Sequence, residues 1–361
     1  MKTKAIIQIS WRGYCRHFRN SLKTAHGEWR ERLGIIIRLT DDQGRHALGE
    51  CAPLPDFGTE SYKEACDWLE ATGPSLDISR ISIPQDLPAL SYGLDCAIKG
   101  LAEQRNVDAE TACSAGIKST RLPVCALLPA GELAYEKLER ALAQGYSTFK
   151  WKIGVANYKV EQAIAETLLK RLPADTRLRF DANGGLSFEQ SVAWCEWIGA
   201  QAKPVCDYLE QPLPPGDESA MANLQERYGV PIALDESLTH VVRGPGGLLA
   251  KLLANWDGYC VLKPSLLGSS DGWNDAICRR GSDLNGKCIF SSAFETDVGI
   301  DALLQLAVES GAEFQALGLD TVAAFDDGLN TDVPAPIIDF DPQARMARAE
   351  AVWNRLGDEA N

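Results

Sequence analysis

Five charged residues recur at nearly constant spacing through the middle of the chain, each near the end of a short apolar segment. They are Lys152, Asp181, Glu210, Asp235 and Lys263, and successive members lie 25 to 29 residues apart. In a parallel β/α barrel the carboxyl ends of all strands meet at one rim, so groups repeated in this way converge on a single pocket. The spacing therefore predicts one site made of three carboxylates and two lysines.

The three carboxylates of this series have no histidine or cysteine among them. An all-oxygen donor set suits a hard cation, so we expect Mg2+ as the cofactor, with Mn2+ as a substitute. Without a cation, mutual repulsion is expected to raise the pKa values of all three carboxylates. A lysine beside such a cation can act as a general base, while the cation stabilises the oxyanion that forms next to a carboxylate. This chemistry is proton abstraction α to a carboxylate, through an enediolate.

A third lysine, Lys150, precedes Lys152 by two residues, so both side chains leave the same face of a strand. Like charges side by side disfavour the protonation of each other. With a divalent cation the pocket has a net positive charge, which predicts an anionic small-molecule substrate. Each residue alone has a simpler interpretation: Asp181 or Asp235 could cap the following helix, and Lys263 could be a solvated loop residue. Because all five residues recur at the same place in successive strand–helix repeats, separate roles of this kind are not expected.

The elements that must position these groups alternate between short apolar strands and helical segments from about residue 122 onward. Eight segments have strand character, and they span residues 122–128, 148–155, 177–184, 206–213, 231–237, 258–266, 288–295 and 314–321. Eight such repeats predict a β/α barrel, and no glycine pattern typical of an open dinucleotide-binding sheet follows a strand. We predict a barrel over 111–325 that carries the site, and an α+β capping domain over 1–110 on which 326–361 packs.

The first sixty residues are rich in β-branched side chains, with apolar strands AIIQISW and GIIIRL and a turn at 41–45. Between the two strands lies a polar, cation-rich stretch of 18 residues, Cys15 to Arg32, without clear periodicity, and we expect a loop there. Helices are predicted in TESYKEACDWLEA, which begins with a Thr/Ser cap, and in PALSYGLDCAIKGLAEQ.

The composition disfavours several classes of protein. The 36 basic and 50 acidic residues give a formal charge of −14, without the basic tracts that bind nucleic acid. The 11 cysteines include no C-x-x-C pair and are typical of reduced, buried thiols in a cytoplasmic protein. We expect neither a membrane helix nor a signal peptide, because no apolar run is long enough and the first segment is polar. The oligomeric state stays open, and a monomer is compatible with the sequence.

The motifs around these residues carry a family resemblance over nearly the whole chain. They are GECAPLPDFGTES near the N-terminus, then FKWKIG, FDANG, LEQPL, LDES and KPSLLGS, and finally SSAFETDVGI and GLDT. In these motifs the chain resembles the o-succinylbenzoate synthase family of the enolase superfamily, which pairs a lysine base with magnesium. The resemblance implies a barrel of the enolase type with a capping domain. It also implies a magnesium-dependent syn dehydration of 2-succinyl-6-hydroxy-2,4-cyclohexadiene-1-carboxylate to 2-succinylbenzoate, in menaquinone or phylloquinone biosynthesis.

Residue by residue, the resemblance assigns roles in the pocket. Lys152 removes the α-proton and then, as an ammonium, helps the hydroxyl to leave, while Lys263 stays cationic over the opposite face of the enediolate. Asp181, Glu210 and Asp235 are the implied metal ligands. The implied supporting residues are Lys150 and Arg179, and the implied substrate-binding residues are Asn183, Ser291 and Gly318.

The segment 15–27 resembles a mobile capping loop that closes over the barrel mouth. Arg16, His17 and Arg19 in this loop could contact substrate anions, or they could simply be solvated.

Three alternatives remain open. The same lysines and metal would serve an N-acylamino acid racemase or a dipeptide epimerase, since one lysine can remove a proton and the other return it. KPSL after the sixth strand, in place of the glycine-rich K-x-G-G common in dipeptide epimerases, favours dehydration. The second alternative is a non-catalytic barrel that binds a small anion or a partner, in which Lys152→Ala would remove no activity. The third is an enzyme that forms a Schiff base through a lysine, which would not need the three carboxylates.

Overall fold

The N-terminal part of the chain forms an antiparallel sheet, and the middle part forms a parallel one. The computed structural model describes residues 6–24, 27–77, 84–109, 119–242, 247–279, 287–312, 314–331 and 335–357. The antiparallel sheet has the strand order β3-β2-β1-β4. Its strands are β1 (Ile6–Thr24), β2 (Gly27–Thr40), β3 (His46–Cys51) and β4 (Ser75–Asp77). Helix α1 (Tyr62–Thr72) lies between β3 and β4, and α2 (Pro88–Ala109) follows β4.

The long strands β1 and β2 show that the loop expected from Cys15 to Arg32, which includes the capping loop 15–27, is wrong for its described residues. They form one hairpin, in which Arg16 lies opposite Arg32; residues 25–26 lie outside the described part of the chain. Alternate residues face inward, but the inward side chains at these two positions are arginines, so the sequence shows no polar and apolar alternation. Both arginines are buried and donate to backbone carbonyls, which offsets the cost of burying their charge.

Seven parallel strands form a curved sheet that confirms the predicted barrel. After a short strand β5 (Thr120–Pro123), they are β6 (Ala126–Leu128), β7 (Thr148–Lys152), β8 (Arg177–Asp181), β9 (Cys206–Glu210), β10 (Ile232–Leu234), β11 (Tyr259–Leu262) and β12 (Cys288–Phe290), and they lie in the sheet in this sequential order. The helices between and after them are α3 (Leu133–Gln144), α4 (Tyr158–Arg171), α5 (Phe188–Trp197), α6 (Glu218–Tyr228), α7 (Glu236–His240), α8 (Leu248–Asn255), α9 (Asp271–Arg279) and α10 (Asp297–Glu309). Short 3-10 turns span Pro55–Phe57, Pro264–Leu266 and Val322–Ala324, and a π-helical turn spans Ile198–Ala202. Among the described residues, no helix has the length and apolar character needed to cross a membrane.

The last predicted strand segment, 314–321, contributes only two bridging residues to the barrel. Leu317 pairs with Val124 and Gly318 with Ser291, both in parallel. These bridges join the two edges of the sheet, so the eighth strand is reduced to a bridge. A Cβ on Gly318 would lie 2.4 Å from the Ser291 hydroxyl oxygen, so the close approach favours glycine at this position.

Two hydrophobic layers support the barrel. The larger lies between the strands and the outer helices and includes Trp151, Phe180 and Trp194, all fully buried. The smaller fills the barrel interior with one inward residue from each of four neighbouring strands, and its members are Tyr208, Ala233, Val261 and Ile289. The strand ends at the rim of the barrel are therefore supported by packed side chains on both sides of the sheet.

The C-terminal elements return to the N-terminal sheet. β13 (Ile337–Phe340) pairs antiparallel with β5, and α11 (Pro342–Gly357) follows it. Trp353 of α11 packs in one cluster with Ile36, on one face of the antiparallel sheet. Ile35 and Ile37, the sequence neighbours of Ile36, pack with α1 and α2 on the opposite face. The antiparallel sheet is therefore covered on both faces. The domain boundaries after residues 110 and 325 stay predictions, and the first falls in 110–118, outside the described residues.

Asp41, in the turn after β2, is a carboxylate whose charge the fold stabilises. It accepts hydrogen bonds from the Arg45 and Arg105 side chains and from the backbone amides of Gln43 and Arg45. Burial alone would raise the pKa of Asp41, but these bonds outweigh it and lower the pKa to about 2. Because the ordinary value is 3.8, the group contributes stability above that pH, and the contribution is lost as the pH falls toward 2.

We therefore expect Asp41→Asn to lower the free energy of unfolding by about 1 kcal/mol at pH 7, after allowing for solvent screening. The variant should also lose less stability than the unchanged chain between pH 4 and pH 2. Urea denaturation at a series of pH values measures both effects. An identical pH dependence in the two proteins would contradict this role for Asp41.

Candidate active site

The ends of neighbouring barrel strands bring the predicted charged residues into one cavity. Asp181 ends β8, Glu210 ends β9 and Asp235 follows β10, and these carboxylates lie between Lys152 on β7 and Lys263 after β11. The cavity has a volume of about 820 Å³ and is lined by all ten residues that the sequence analysis assigned to catalysis, metal binding, support or substrate binding. The other five are Lys150, Arg179, Asn183, Ser291 and Gly318.

Lys150 lies between two of the carboxylates. Its ammonium is 2.8 Å from Asp181 Oδ2 and 2.8 Å from Glu210 Oε1. Burial raises the pKa of Asp181, but Lys150 and other favourable contacts lower it more, so the pKa lies below its ordinary value. Burial together with the Asp181 and Asp235 charges raises the pKa of Glu210 well above its usual range. The expectation that all three carboxylates titrate upward is therefore wrong for Asp181.

Lys263 is held on the other side of the carboxylates by Asp235. Its ammonium donates to both carboxylate oxygens of Asp235 and lies 5.1 Å from the centre of the Phe57 ring. Asp235 stands at the N-cap of α7 but caps no backbone amide with its side chain, so helix capping does not explain it. Burial lowers the pKa of Lys263, whereas Asp235 and Glu236 raise it more, and the net pKa lies above its ordinary value.

The same balance applies to Lys150. Burial lowers its pKa, but the surrounding carboxylates, Asp181 first, raise it well above the ordinary value. The neighbouring lysine was expected to lower the pKa of Lys150, but the carboxylates that Lys150 contacts outweigh this effect.

Lys152 differs from these two lysines. Its side chain is half-buried and lines the cavity, yet its ammonium has no ion pair or hydrogen bond with any residue that the structure describes. Lys150 and Lys263, by contrast, both contact carboxylates. The amino group of Lys152 is therefore available to a bound ligand.

Arg179 is buried beneath the carboxylates. It donates to Asp207 Oδ2 at 3.0 Å and to the Ala316 carbonyl at 2.7 Å, and it lies 5.0 Å from the centre of the Tyr208 ring. Ala316 is two residues before Gly318, so Arg179 ties β8 to the segment that bridges the barrel edges.

Gln211, which the sequence analysis missed, joins the turn after Glu210 to the turn that carries Asp235. It follows Glu210 with a φ of 36°, a left-handed backbone that is rare for a residue with a long side chain. Its side-chain oxygen accepts from the backbone amides of Asp235 at 3.0 Å and Ser237 at 3.2 Å. Its amide donates to the Ser237 hydroxyl at 2.8 Å. The available signal was a polar side chain directly after a predicted ligand in a buried segment.

Glu236 was also missed, and it pairs with Asn183 at the cavity wall. Asn183 has a φ of 45° and donates from Nδ2 to Glu236 Oε1 at 3.2 Å. The other Glu236 oxygen is buried and has no hydrogen-bond partner among the described residues. Burial, with the neighbouring Asp235 charge, raises the pKa of Glu236 to about 7.

Arg16, His17 and Arg19 do not line the cavity. Arg16 and Arg19 form ion pairs with Asp327 and Asp326, and His17 faces solvent. The described hairpin residues that do line the cavity are Asn20, Leu22 and Trp29.

The donor set of the carboxylates fits a divalent cation. Glu210 Oε2 is buried and accepts no hydrogen bond from a described residue, which is costly unless a cation or a donor faces it. Oxygen-only donors suit Mg2+. The ligand oxygens of Asp181, Glu210 and Asp235 do not all lie within 4.8 Å of one another, and the ammonium groups of Lys150 and Lys263 lie beside them. The chemistry of the site therefore fits the metal, and binding requires these ion pairs to rearrange.

Comparisons with known proteins identify the family of this chain. Residues 20–101 match the family described as "MenC, N-terminal domain", and residues 134–243 match "Enolase C-terminal domain-like". An o-succinylbenzoate synthase of Thermosynechococcus vestitus is 32% identical over 353 residues, which cover 97% of this chain and 99% of the relative. One of Vibrio cholerae serotype O1 is 27% identical, over 89% of this chain and 92% of the relative.

Solved structures give the same result. The crystal structure of o-succinylbenzoate synthase from Thermosynechococcus elongatus BP-1, complexed with Mg in the active site, matches with a TM-score of 0.78 and 30% identity, over 96% of this chain and 99% of that chain. The L-Ala-D/L-Glu epimerase of Bacillus subtilis has a TM-score of 0.75 over 93% of this chain and 96% of that chain, but at 19% identity it shows the fold alone. The chain belongs to the o-succinylbenzoate synthase family of the enolase superfamily.

Proposed function

We propose that this chain catalyses the syn dehydration of 2-succinyl-6-hydroxy-2,4-cyclohexadiene-1-carboxylate to 2-succinylbenzoate, in menaquinone or phylloquinone biosynthesis. As a member of its family the chain is an enzyme, a hydro-lyase. The observation that carries the proposal is the row of three carboxylates between Lys152 and Lys263 at the rim of one barrel. This row supplies a base on one side, a fixed cation on the other and oxygen ligands between them.

Lys152 is the proposed base because its amine is not engaged by a described residue. In the first step it takes the proton α to the substrate carboxylate, and the electrons of the broken C–H bond move into the carboxylate to give an enediolate. In the second step these electrons return, the bond from carbon to the hydroxyl breaks, and the Lys152 ammonium gives its proton to the departing oxygen. The products are the aromatic acid and water. Because one residue serves both steps, the proton and the hydroxyl leave from the same face.

Lys263 is the proposed cation on the opposite face. Asp235 holds its ammonium in place, and the raised pKa of Lys263 keeps it charged at neutral pH. A desolvated cation over a π-system contributes on the order of 1–2 kcal/mol, which here favours the enediolate over the substrate.

Asp181, Glu210 and Asp235 would hold Mg2+, which when bound stabilises negative charge on the substrate carboxylate. The magnesium in the Thermosynechococcus elongatus enzyme supports this assignment, and we propose Mn2+ as a substitute. Lys150 and Arg179 are the proposed supports of these ligands. Asn183, Ser291 and Gly318 are the proposed contacts of the succinyl carboxylate, and all three line the cavity.

We propose that the enzyme works in the cytoplasm on this small-molecule dicarboxylate, without nucleic acid as a partner. The nine cysteines whose side chains the structure describes are free thiols, which supports a reducing compartment. The formal charge of −14 supports the absence of a nucleic-acid partner.

The test is a spectrophotometric assay of the dehydration with added Mg2+, run beside an assay for racemisation of N-succinylamino acids. We expect the purified chain to form 2-succinylbenzoate. Racemisation without dehydration would instead support the racemase alternative. Activity in neither assay, in a folded protein that binds Mg2+, would support a non-catalytic barrel.

A further inference from the structure

Phe294, in the loop after β12, lines the cavity with a strained backbone. Its φ is 70°, an outlier for a bulky aromatic residue, and such strain persists where the surrounding structure enforces it. The other two described non-glycine residues with positive φ are Asn183 and Gln211, which also follow barrel strands at the site. Backbone strain is therefore concentrated around the cavity, and the mechanism gives Phe294 no role.

Two buried arginines of the β1–β2 hairpin hold the backbone on either side of Phe294. Arg32 donates from Nε to the Ala293 carbonyl at 3.1 Å, and Arg16 donates from Nη1 to the Glu295 carbonyl at 2.9 Å. The two arginines are direct partners in the hairpin register. The N-terminal sheet thus fixes a loop of the barrel by charged donors.

Hydrogen bonds to the Glu295 side chain also hold the loop after β12 in place. The Glu295 carboxylate accepts from the Ser292 hydroxyl at 2.6 Å and from the Ala293 amide at 2.7 Å, and it also accepts from Ser265. With its neighbours held on both sides, the Phe294 backbone is held in its left-handed conformation.

The Phe294 ring belongs to an aromatic wall, which we define as Trp29, Phe57 and Phe294. All three line the cavity, and the ring centres are 6.5 Å apart for Trp29 and Phe294 and 5.8 Å apart for Trp29 and Phe57. Outside the wall, Phe18 and Phe325 pack edge-on against Phe294 at 5.2 Å and 6.2 Å. The wall reaches Lys263, which lies over the Phe57 ring, so it borders the proposed reaction site.

We propose that Phe294 determines specificity by packing against the cyclohexadiene ring of the substrate, and that Arg16 and Arg32 are positioning residues that act through it. The inference deepens the proposed function and rests on it. A flat apolar ring matches a rigid aromatic wall, whereas an acyclic N-acylamino acid presents no such surface. The fixed Phe294 ring therefore favours ring-bearing substrates.

Phe294→Gly tests the wall, because glycine adopts the same φ without strain and lacks the ring. We expect KM for dehydration to rise about tenfold or more and kcat to change by less than about threefold. Phe314→Ala, which removes an exposed phenylalanine elsewhere, is the matched control and should leave both constants unchanged. A merely structural Phe294 would instead lower the melting temperature and leave KM unchanged.

Arg32→Lys tests the positioning role, since lysine keeps the charge but cannot make the same set of hydrogen bonds. We expect KM to rise, with no further rise when Arg32→Lys is combined with Phe294→Gly, because both changes act through one ring. Arg30→Lys, at an exposed position of the same strand, is the control. Additive effects would overturn the positioning role.

The outcomes separate the two proposals. An unchanged chain that does not dehydrate the substrate refutes the proposed function itself. An unchanged chain that dehydrates it, with a Phe294→Gly variant of unaltered KM, refutes only the role of Phe294. If Arg32→Lys does not fold, the Phe294→Gly result alone decides.

Discussion

Lys152→Ala is expected to lower kcat for dehydration by about 10⁴-fold while leaving the fold and Mg2+ binding intact. The loss is large because Lys152 is the proposed base in the first step and the proposed acid in the second. Lys150 and Lys263 cannot replace it, since carboxylates hold both ammonium groups and raise their pKa values. Lys152 itself has no contact with a described carboxylate, so its removal leaves the proposed metal ligands in place.

The measurement combines single-turnover rates with calorimetric titration of Mg2+ into each variant. Lys159→Ala, which removes an exposed lysine at the start of α4, is the matched control and should keep the full rate. A Lys152→Ala variant that keeps more than about a tenth of the rate would show that another group is the base. Loss of Mg2+ binding together with activity would show that the residue supports the metal site instead.

The barrel could be predicted because its signal is local and repeated. Each apolar strand is short, is followed by a helical segment, and ends near a polar or charged residue, as at Lys152, Asp181 and Glu210. The eighth strand was harder to predict, because only Leu317 and Gly318 pair with their neighbours while the flanking residues have strand-like composition. Strand pairing depends on the partner edges, which one segment of sequence does not contain.

The central part of the hairpin, Cys15 to Arg32, was wrongly predicted as a loop for a different physical reason. Its inward positions carry arginines whose charge is satisfied by carbonyls far away in the chain, such as Arg32 at Ala293, 261 residues later. Periodicity of apolar residues cannot detect a strand of this kind. Gln211 and Phe294 were missed because their roles depend on positive φ angles, which tertiary contacts impose and residue type alone does not indicate. The predicted charged residues, by contrast, are recognised by type and spacing.

Removal of divalent metal is expected to abolish dehydration, and Mg2+ or Mn2+ should restore it. In the structure Lys150 and Lys263 lie against the proposed ligands, so a chain without metal keeps its carboxylates paired with lysines and lacks the charge that stabilises an enediolate. We expect a loss of at least about 10³-fold after dialysis against a chelator. The check is the rate before dialysis, after it, and after titration with each ion.

Glu210→Gln sharpens this prediction. Glu210 Oε2 is buried and has no hydrogen-bond donor among the described residues, so a cation is its natural partner, and an amide would present a weaker ligand there. We expect the Mg2+ affinity to fall by about 100-fold or more, whereas Glu226→Gln, at an exposed position of the next helix, should leave it unchanged.

Activity that survives chelation would point to the Schiff-base alternative, which borohydride trapping of a substrate–lysine adduct would reveal. Because a Schiff base needs no cation, loss of activity on chelation without a trapped adduct would contradict that alternative.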